Sequence, residues 1–198
     1  MSKWGIEEKE TLDAINRMNL SGNILDVAAG DGRFINELLK HSEAVTAIDI
    51  DNNELQTLKD NCSSDLIDKL KLEVLDITKA FPYHDNTFDG IFCTGTLHLF
   101  DKNTITLILK EMKRCLKFGG KIILDFATDI KRLDKNGNEV VFEGEGSYST
   151  DEAIVLFKDL LSDFSFDIQI ATFSEEDLED AGYNSIHGNF LIITGEKI

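Results

Sequence analysis

Between Ser21 and Phe126, short apolar runs alternate with segments of helical period, and that alternation leaves few folds open. NILDVAA (23–29), AVTAIDI (44–50), KLEVLD (71–76), FDGIFCTG (88–95) and KIILDFA (121–127) read as strands. Residues 32–41, 52–61 and 103–117 read as helices, the last on the pattern Ile105, Ile108, Leu109, Met112, Leu116 and ending at Gly119-Gly120. Strands separated by helices are joined by right-handed crossovers into a parallel sheet covered on both faces. The unbroken apolar strands agree, because a strand buried on both sides has no need to alternate.

The last third has a different texture. IKRLDKNGNEVVFE (130–143) centres on Asn-Gly between branched residues and reads as a β-hairpin, followed by a flexible joint at EGEGS (143–147). Ser149-Thr150-Asp151-Glu152 spells a capping box that opens a helix to about Leu161. FDIQIATF (166–173) alternates as a strand, SEEDLEDAG (174–182) reads as a short capped helix, and NFLIITGE (189–196) is a final strand. At 198 residues the chain suits one core, so residues 1–198 are expected to form a single domain. Residues 1–20 are expected to form an amphipathic helix or lid with Trp4 and Ile6 over the ligand, and 128–150 a hairpin insertion.

Charge narrows the function. A net charge of −17, from 37 acidic and 20 basic residues, repels phosphate backbones and argues against nucleic acid as a partner. Lys110, Lys113, Arg114 and Lys117 fall at helical spacing and read as a solvated helix face. Cys62, Cys93 and Cys115 form no C-x-x-C pair, and the four histidines show no ligand spacing, so no disulfide framework and no metal are expected. With no signal peptide and no apolar run of membrane length, the expected setting is cytoplasmic, with no membrane partner.

The residues that carry chemistry begin at LDVAAGDGRF (25–34), where a strand breaks into Ala28-Ala29-Gly30-Asp31-Gly32. Glycine permits positive φ and lets backbone approach a ligand closely. A dinucleotide turn needs a third glycine at position 33, and here 33 is arginine, which weakens a dehydrogenase reading. Three acids follow at strand ends: Asp26 before the turn, Asp49 seventeen residues after Gly32, and Asp76 after the third strand. Asp49 could accept a ribose's hydroxyls; Asp51, just beyond, fits better as the cap of the next helix. Open α/β sheets bind ligands at this edge.

Small-x-Gly-x-Gly preceded by Leu-Asp resembles motif I of the class I S-adenosylmethionine-dependent methyltransferases. FPYHDNTFDGIF (81–92) and LKEMKRCLKFGGKIIL (109–124) resemble two further segments of that family, with Phe118 where it has proline. The resemblance covers about residues 20–127 and departs at Ala28, where the family has glycine. It implies a three-layer Rossmann-like α/β sandwich: a mostly parallel seven-stranded sheet with an antiparallel last strand, here with an extra β-hairpin after strand five. It also implies S-adenosyl-L-methionine as cofactor. Asp26, Ala28, Gly30 and Gly32 would meet its methionine part, Asp49 its ribose, and Ile50 its adenine face. Asp76 and the Ile77 amide would meet the adenine edge, with Cys93 and Thr94 lining the site.

Methyl transfer needs alignment above all, and a base only where the acceptor must lose a proton. His98, in CTGTLHLF, is the histidine placed for that work, as general base or acceptor-orienting group; packing at a helix start is the alternative. Cys93 lacks the Pro-Cys context of a methylation nucleophile and reads as a wall residue. The expected activity is methyl transfer to a small-molecule acceptor by a monomer or homodimer. A methyltransferase acting on a protein partner and a non-catalytic cofactor-binding module are the other readings.

Overall fold

The computed structural model describes residues 6–142, 146–176, 178 and 181–198. In chain order the elements are α1 (Ile6–Met18), β1 (Asn23–Val27), α2 (Ile35–His41), β2 (Ala44–Asp49), α3 (Asn52–Asn61), β3 (Leu70–Val74), β4 (Phe88–Cys93), α4 (Lys102–Cys115), β5 (Leu116–Leu133), α5 (Thr150–Leu160), β6 (Phe164–Glu176) and β7 (Ser185–Lys197). Short 3-10 turns sit at Ile67–Lys69 and Leu97–Leu99.

One sheet of seven strands runs in the order β3-β2-β1-β4-β5-β7-β6. The first five are parallel, and β7 enters antiparallel between β5 and β6. This is the expected α/β sandwich with its antiparallel last strand. The strand order reverses between β1 and β4, the switch point where such sheets leave a crevice at their C-terminal ends. One apolar layer joins α4 and α5 to the sheet through residues such as Ile105, Leu109 and Phe157. The other joins α1, α2 and α3 through Ile15, Leu38 and Leu58. A smaller cluster, including Ala127, Phe173, Tyr183, Ile186 and Phe190, forms along the second half of β5, against β6 and β7.

Local chemistry explains most boundaries. The Asp51 side chain accepts from the Asn53 N–H and caps α3, as expected. Ser149 and Glu152 form the expected reciprocal capping box on α5. Helix α2 starts at Ile35 rather than at 32, because Gly30 and Gly32 hold positive φ (52° and 77°), which no α-helix accommodates. Arg114 is not merely solvated: its guanidinium donates to the Phe81 and Tyr83 carbonyls at 3.0 and 2.7 Å and ties α4 to the approach to β4.

The C-terminal third departs from expectation in three places. Strand β5 continues to Leu133 because residues 131–133 pair with His187, Ile186 and Ser185 of β7. The hairpin at 130–143 is reduced to a turn over Asp134–Asn138 and one bridge, Leu133 to Glu139. Residues 174–176 extend β6 instead of opening a helix; Asp177, Glu179 and Asp180 lie outside the described residues, as do Trp4 and most of the joint at 143–147. Among the described residues, no helix is long and apolar enough to cross a membrane, and no group of three His, Cys, Asp or Glu is arranged to hold a metal.

Candidate functional site

A cavity of about 680 Å³ opens along the C-terminal ends of the strands, lined from β2 and β1 across to β7 and β6. Five strand spacings make that span about 24 Å. Such a volume is in the range of small-molecule sites, about 300–1,000 Å³.

The β1–β2 end is built by the glycine turn. Asp26 lies within the buried part of β1 with 4% of its surface exposed. Burial, then the neighbouring Asp49 carboxylate, push its carboxyl up to about 7. Asp49 accepts from the Gly30 N–H through Oδ2 and from the Asp51 N–H through Oδ1, both at 2.9 Å, so the turn and the next strand end are locked together. Ala28 sits at φ 55°, a left-handed conformation that costs a residue with Cβ about 1–2 kcal/mol. The two glycines serve different ends. A Cβ at Gly30 would meet nothing within 4 Å, whereas one at Gly32 would lie 2.4 Å from Leu58 Cγ. Gly32 therefore admits α3, and Gly30 leaves the cavity wall bare.

The middle of the cavity is formed by Thr94, Gly95 and Thr96. Beneath them lies Asp125 of β5, 1% exposed, whose Oδ1 accepts from the Gly95 N–H at 2.7 Å. Burial raises its carboxyl to about 7, against the Gly95 bond and the Arg33 charge, which pull it down. His98 follows on the cavity wall, edge-on to Phe126 at 6.2 Å. Its Nδ1 is buried without a hydrogen-bond partner among the described residues. Burial, then the Arg132 charge, lower its pKa to about 4, so the ring is neutral at physiological pH.

At the β5–β6 end the wall turns apolar. Phe173 and Phe190 stack at 4.4 Å, and the Arg132 guanidinium lies 5.0 Å over Phe142 and 5.7 Å over Tyr183.

Of the residues anticipated from the sequence, Asp26, Ala28, Gly30, Asp49, Thr94 and His98 share this cavity. The others do not line it. Gly32 faces Leu58, and Ile77 and Cys93 are buried in the core. Burial and the Asp125 and Asp26 carboxylates hold the Cys93 thiol well above its usual range, which leaves it inert. Ile50 is 69% exposed, and the Asp76 carboxylate is taken up by the Thr78 N–H and hydroxyl at 2.9 and 2.6 Å. Asp125 and, at the aromatic end, Phe173, Tyr183 and Phe190 were not anticipated. A carboxyl inside the apolar strand KIILDFA is the signal that marks the first; the aromatic end gathers residues from 127 to 190 and leaves no local trace.

Comparison with known proteins agrees with this geometry. Residues 24–120 match the family model described as a methyltransferase domain. The chain is 34% identical over 117 residues to the ubiquinone/menaquinone biosynthesis C-methyltransferase UbiE of Rickettsia bellii, covering 55% of this chain and 46% of that protein. It is 26% identical over 126 residues to the sterol 4-C-methyltransferase strm-1 of Caenorhabditis elegans, covering 62% of this chain and 37% of that one. The chain thus spans less than half the length of these curated relatives. Among solved structures, DhpI in complex with SAH superposes with a TM-score of 0.66 at 17% identity, over 96% of this chain and 85% of that one. Family match, strand order and superposition lead to one statement: residues 24–120 match a methyltransferase domain, and the fold is the Rossmann-like α/β sandwich of the superposed structures.

Proposed function

We propose that this protein transfers a methyl group from S-adenosyl-L-methionine to a small-molecule acceptor. The observation that carries the reading is the convergence of Asp26, Gly30 and Asp49 at one end of the cavity that holds His98 further along. The residues present fit the cofactor. Gly30 leaves backbone bare where a side chain would intrude, and buried carboxyls complement a ligand bearing positive charge. The relatives named above, C-methyltransferases acting in quinone and sterol chemistry, support a small-molecule acceptor over a protein one.

When bound, the cofactor supplies a methyl group on a cationic sulfur, and the transfer is an in-line displacement. The chain's own part is alignment, which can contribute several kcal/mol of the barrier reduction, about 7–11 at most. Asp26 is assigned to the cofactor's ammonium and Asp49 to its ribose hydroxyls; each Asp49 oxygen keeps a lone pair beyond the bond it already accepts. Thr94 and the Gly95 backbone, held by Asp125, form the wall between cofactor and acceptor. His98, neutral and weakly basic, is assigned to orienting the acceptor by a hydrogen bond rather than to removing its proton. Residues 1–198 are taken as one domain, and the reduced thiols suit a cytoplasmic setting.

Two measurements test the reading. Calorimetry is expected to show binding of S-adenosylmethionine and none of NAD. Release of S-adenosylhomocysteine over an acceptor panel is expected to occur with wild type and to fall at least tenfold in His98→Ala. Binding without any turnover would reduce the protein to a cofactor-binding module.

A further inference from the structure

We infer that the acceptor is a neutral, largely apolar, ring-bearing molecule, seated at the β5–β6 end of the cavity between Ile130, Phe142, Tyr183 and Phe190. The inference rests on the methyltransferase reading for the acceptor's role, but its content comes from how the cavity divides. The lining carboxyls Asp26, Asp31, Asp49 and Glu54 all belong to the β1–β2 end. From Leu99 onward the described lining residues are apolar or aromatic, apart from Arg132. In a chain of net charge −17, such a segregated wall is a chemical preference: it offers neither a carboxylate for an amine nor a polar cage for a sugar or amino acid.

The aromatic rings at this end are set to receive a flat ligand. Phe173 and Phe190, both on the lining, stack at 4.4 Å with 30° between their planes and form a packed aromatic pair. Phe142 and Tyr183 meet edge-on at 6.1 Å, and the Arg132 guanidinium packs against both rings, 5.0 and 5.7 Å from their centres. That three-way contact ties the segment after β5 to the approach to β7. Phe142, on the lining, stays 40% exposed. An apolar ring entering here trades exposed aromatic surface for contact, and aromatic neighbours favour offset or edge-to-face packing over a flexible chain. His98, neutral and on the lining, stands at the inner boundary of this end.

The test uses full-length protein, S-adenosylhomocysteine and the neutral fluorophore N-phenyl-1-naphthylamine. The fluorophore is expected to bind saturably at one site. Ile130→Asp, which puts a carboxylate on the apolar wall, and Phe142→Ala, a truncation at an exposed position, are each expected to weaken it at least tenfold. Both variants should keep calorimetric affinity for S-adenosylhomocysteine within twofold of wild type. Fluorophore binding that never saturates, or that survives both substitutions unchanged, overturns the inference. So does turnover confined to open-chain polar acceptors in a panel matched against ring acceptors. Loss of S-adenosylhomocysteine binding in the wild type overturns the methyltransferase reading instead, and the fluorophore titration then decides the character of the apolar end alone.

Discussion

Replacing Asp26 by asparagine should stabilise the free protein and cripple it at once, and the pH at which each effect is measured separates them. The folded protein holds this carboxyl protonated up to about pH 7, because burial and the Asp49 carboxylate oppose its charge. The unfolded chain releases the same proton near 3.8. Between those values the native state binds more protons than the unfolded one, so stability falls as pH rises through that window and levels off above it. Relative to a neutral isostere, the wild type loses about 4 kcal/mol at pH 8, about 2 at pH 5 and almost nothing at pH 3. Asp26→Asn keeps the shape without the ionisation, so urea unfolding should show it more stable by those amounts. Cofactor affinity at pH 8 should move the other way, by two orders of magnitude or more, since a close charge pair at an effective dielectric near 20 is worth about 4 kcal/mol. An equal stability difference at pH 5 and pH 8 would show that Asp26 does not titrate as its burial demands. Unchanged affinity would remove it from the binding site.

Three further outcomes follow from single contacts. Gly30→Ala and Gly32→Ala share the cost of a Cβ at positive φ, but only the latter also drives into Leu58, so it should lose about 1–3 kcal/mol more in urea unfolding. Gly30→Ala should show the larger loss of cofactor affinity by calorimetry; the reverse ranking would sink the division of roles between the two glycines. His98 should show neutral-imidazole nitrogen shifts by NMR down to about pH 5, and its ionisation should leave no inflection in the rate between about pH 6 and 8. A titration midpoint near 6.5 would mean the ring is solvated and free to act as a base. Ser149→Ala removes one half of the capping box on α5 and should lower the melting temperature by about 2–4 °C, read by circular dichroism.

What could be read in the sequence was what is decided locally. The glycine turn, the Asp51 and Ser149 caps and the first four strands depend on neighbours within a few positions, and they fall close to where the pattern puts them; β5 instead opens at Leu116, inside the stretch read as the end of a helix. Residues 174–176 did not. Ser-Glu-Glu-Asp has the composition of a helix start, yet Ser174, Glu175 and Glu176 pair with His187, Ile186 and Ser185. A strand's ladder, fixed by partners about ten residues away, outweighs a cap whose helix has little apolar face to bury. The extension of β5 past Thr128 has the same origin. Within the site, Asp26 and Asp49 were legible because they lie at the ends of adjacent strands, whereas Asp76, expected on the same argument, bonds Thr78 and does not line the cavity. The aromatic end was not legible, because Ile130, Phe173, Tyr183 and Phe190 meet only after β7 has entered between β5 and β6.

The division between those ends bears on the chemistry as well as on binding. In methyl transfer the sulfur begins with a full positive charge and ends without it, so any group that stabilises that charge more in the ground state than in the transition state slows the step. Carboxylates are therefore useful to this reaction only at a distance from the reacting sulfur, where they anchor the cofactor's permanent charge and its ribose. Asp26 and Asp49 meet that condition if the cofactor runs from the glycine turn toward His98, for its methyl then points at the apolar end. A low-dielectric wall there would leave a bound sulfonium poorly stabilised before the proposed transfer and would cost nothing as the charge disperses. A carboxylate introduced about 6 Å from the sulfur would stabilise the bound cofactor by about 3 kcal/mol at an effective dielectric near 20. It would tighten cofactor binding and slow the chemical step by up to about a hundredfold. Loss of Asp26 should do the opposite to affinity while sparing the chemical step once the cofactor is saturating.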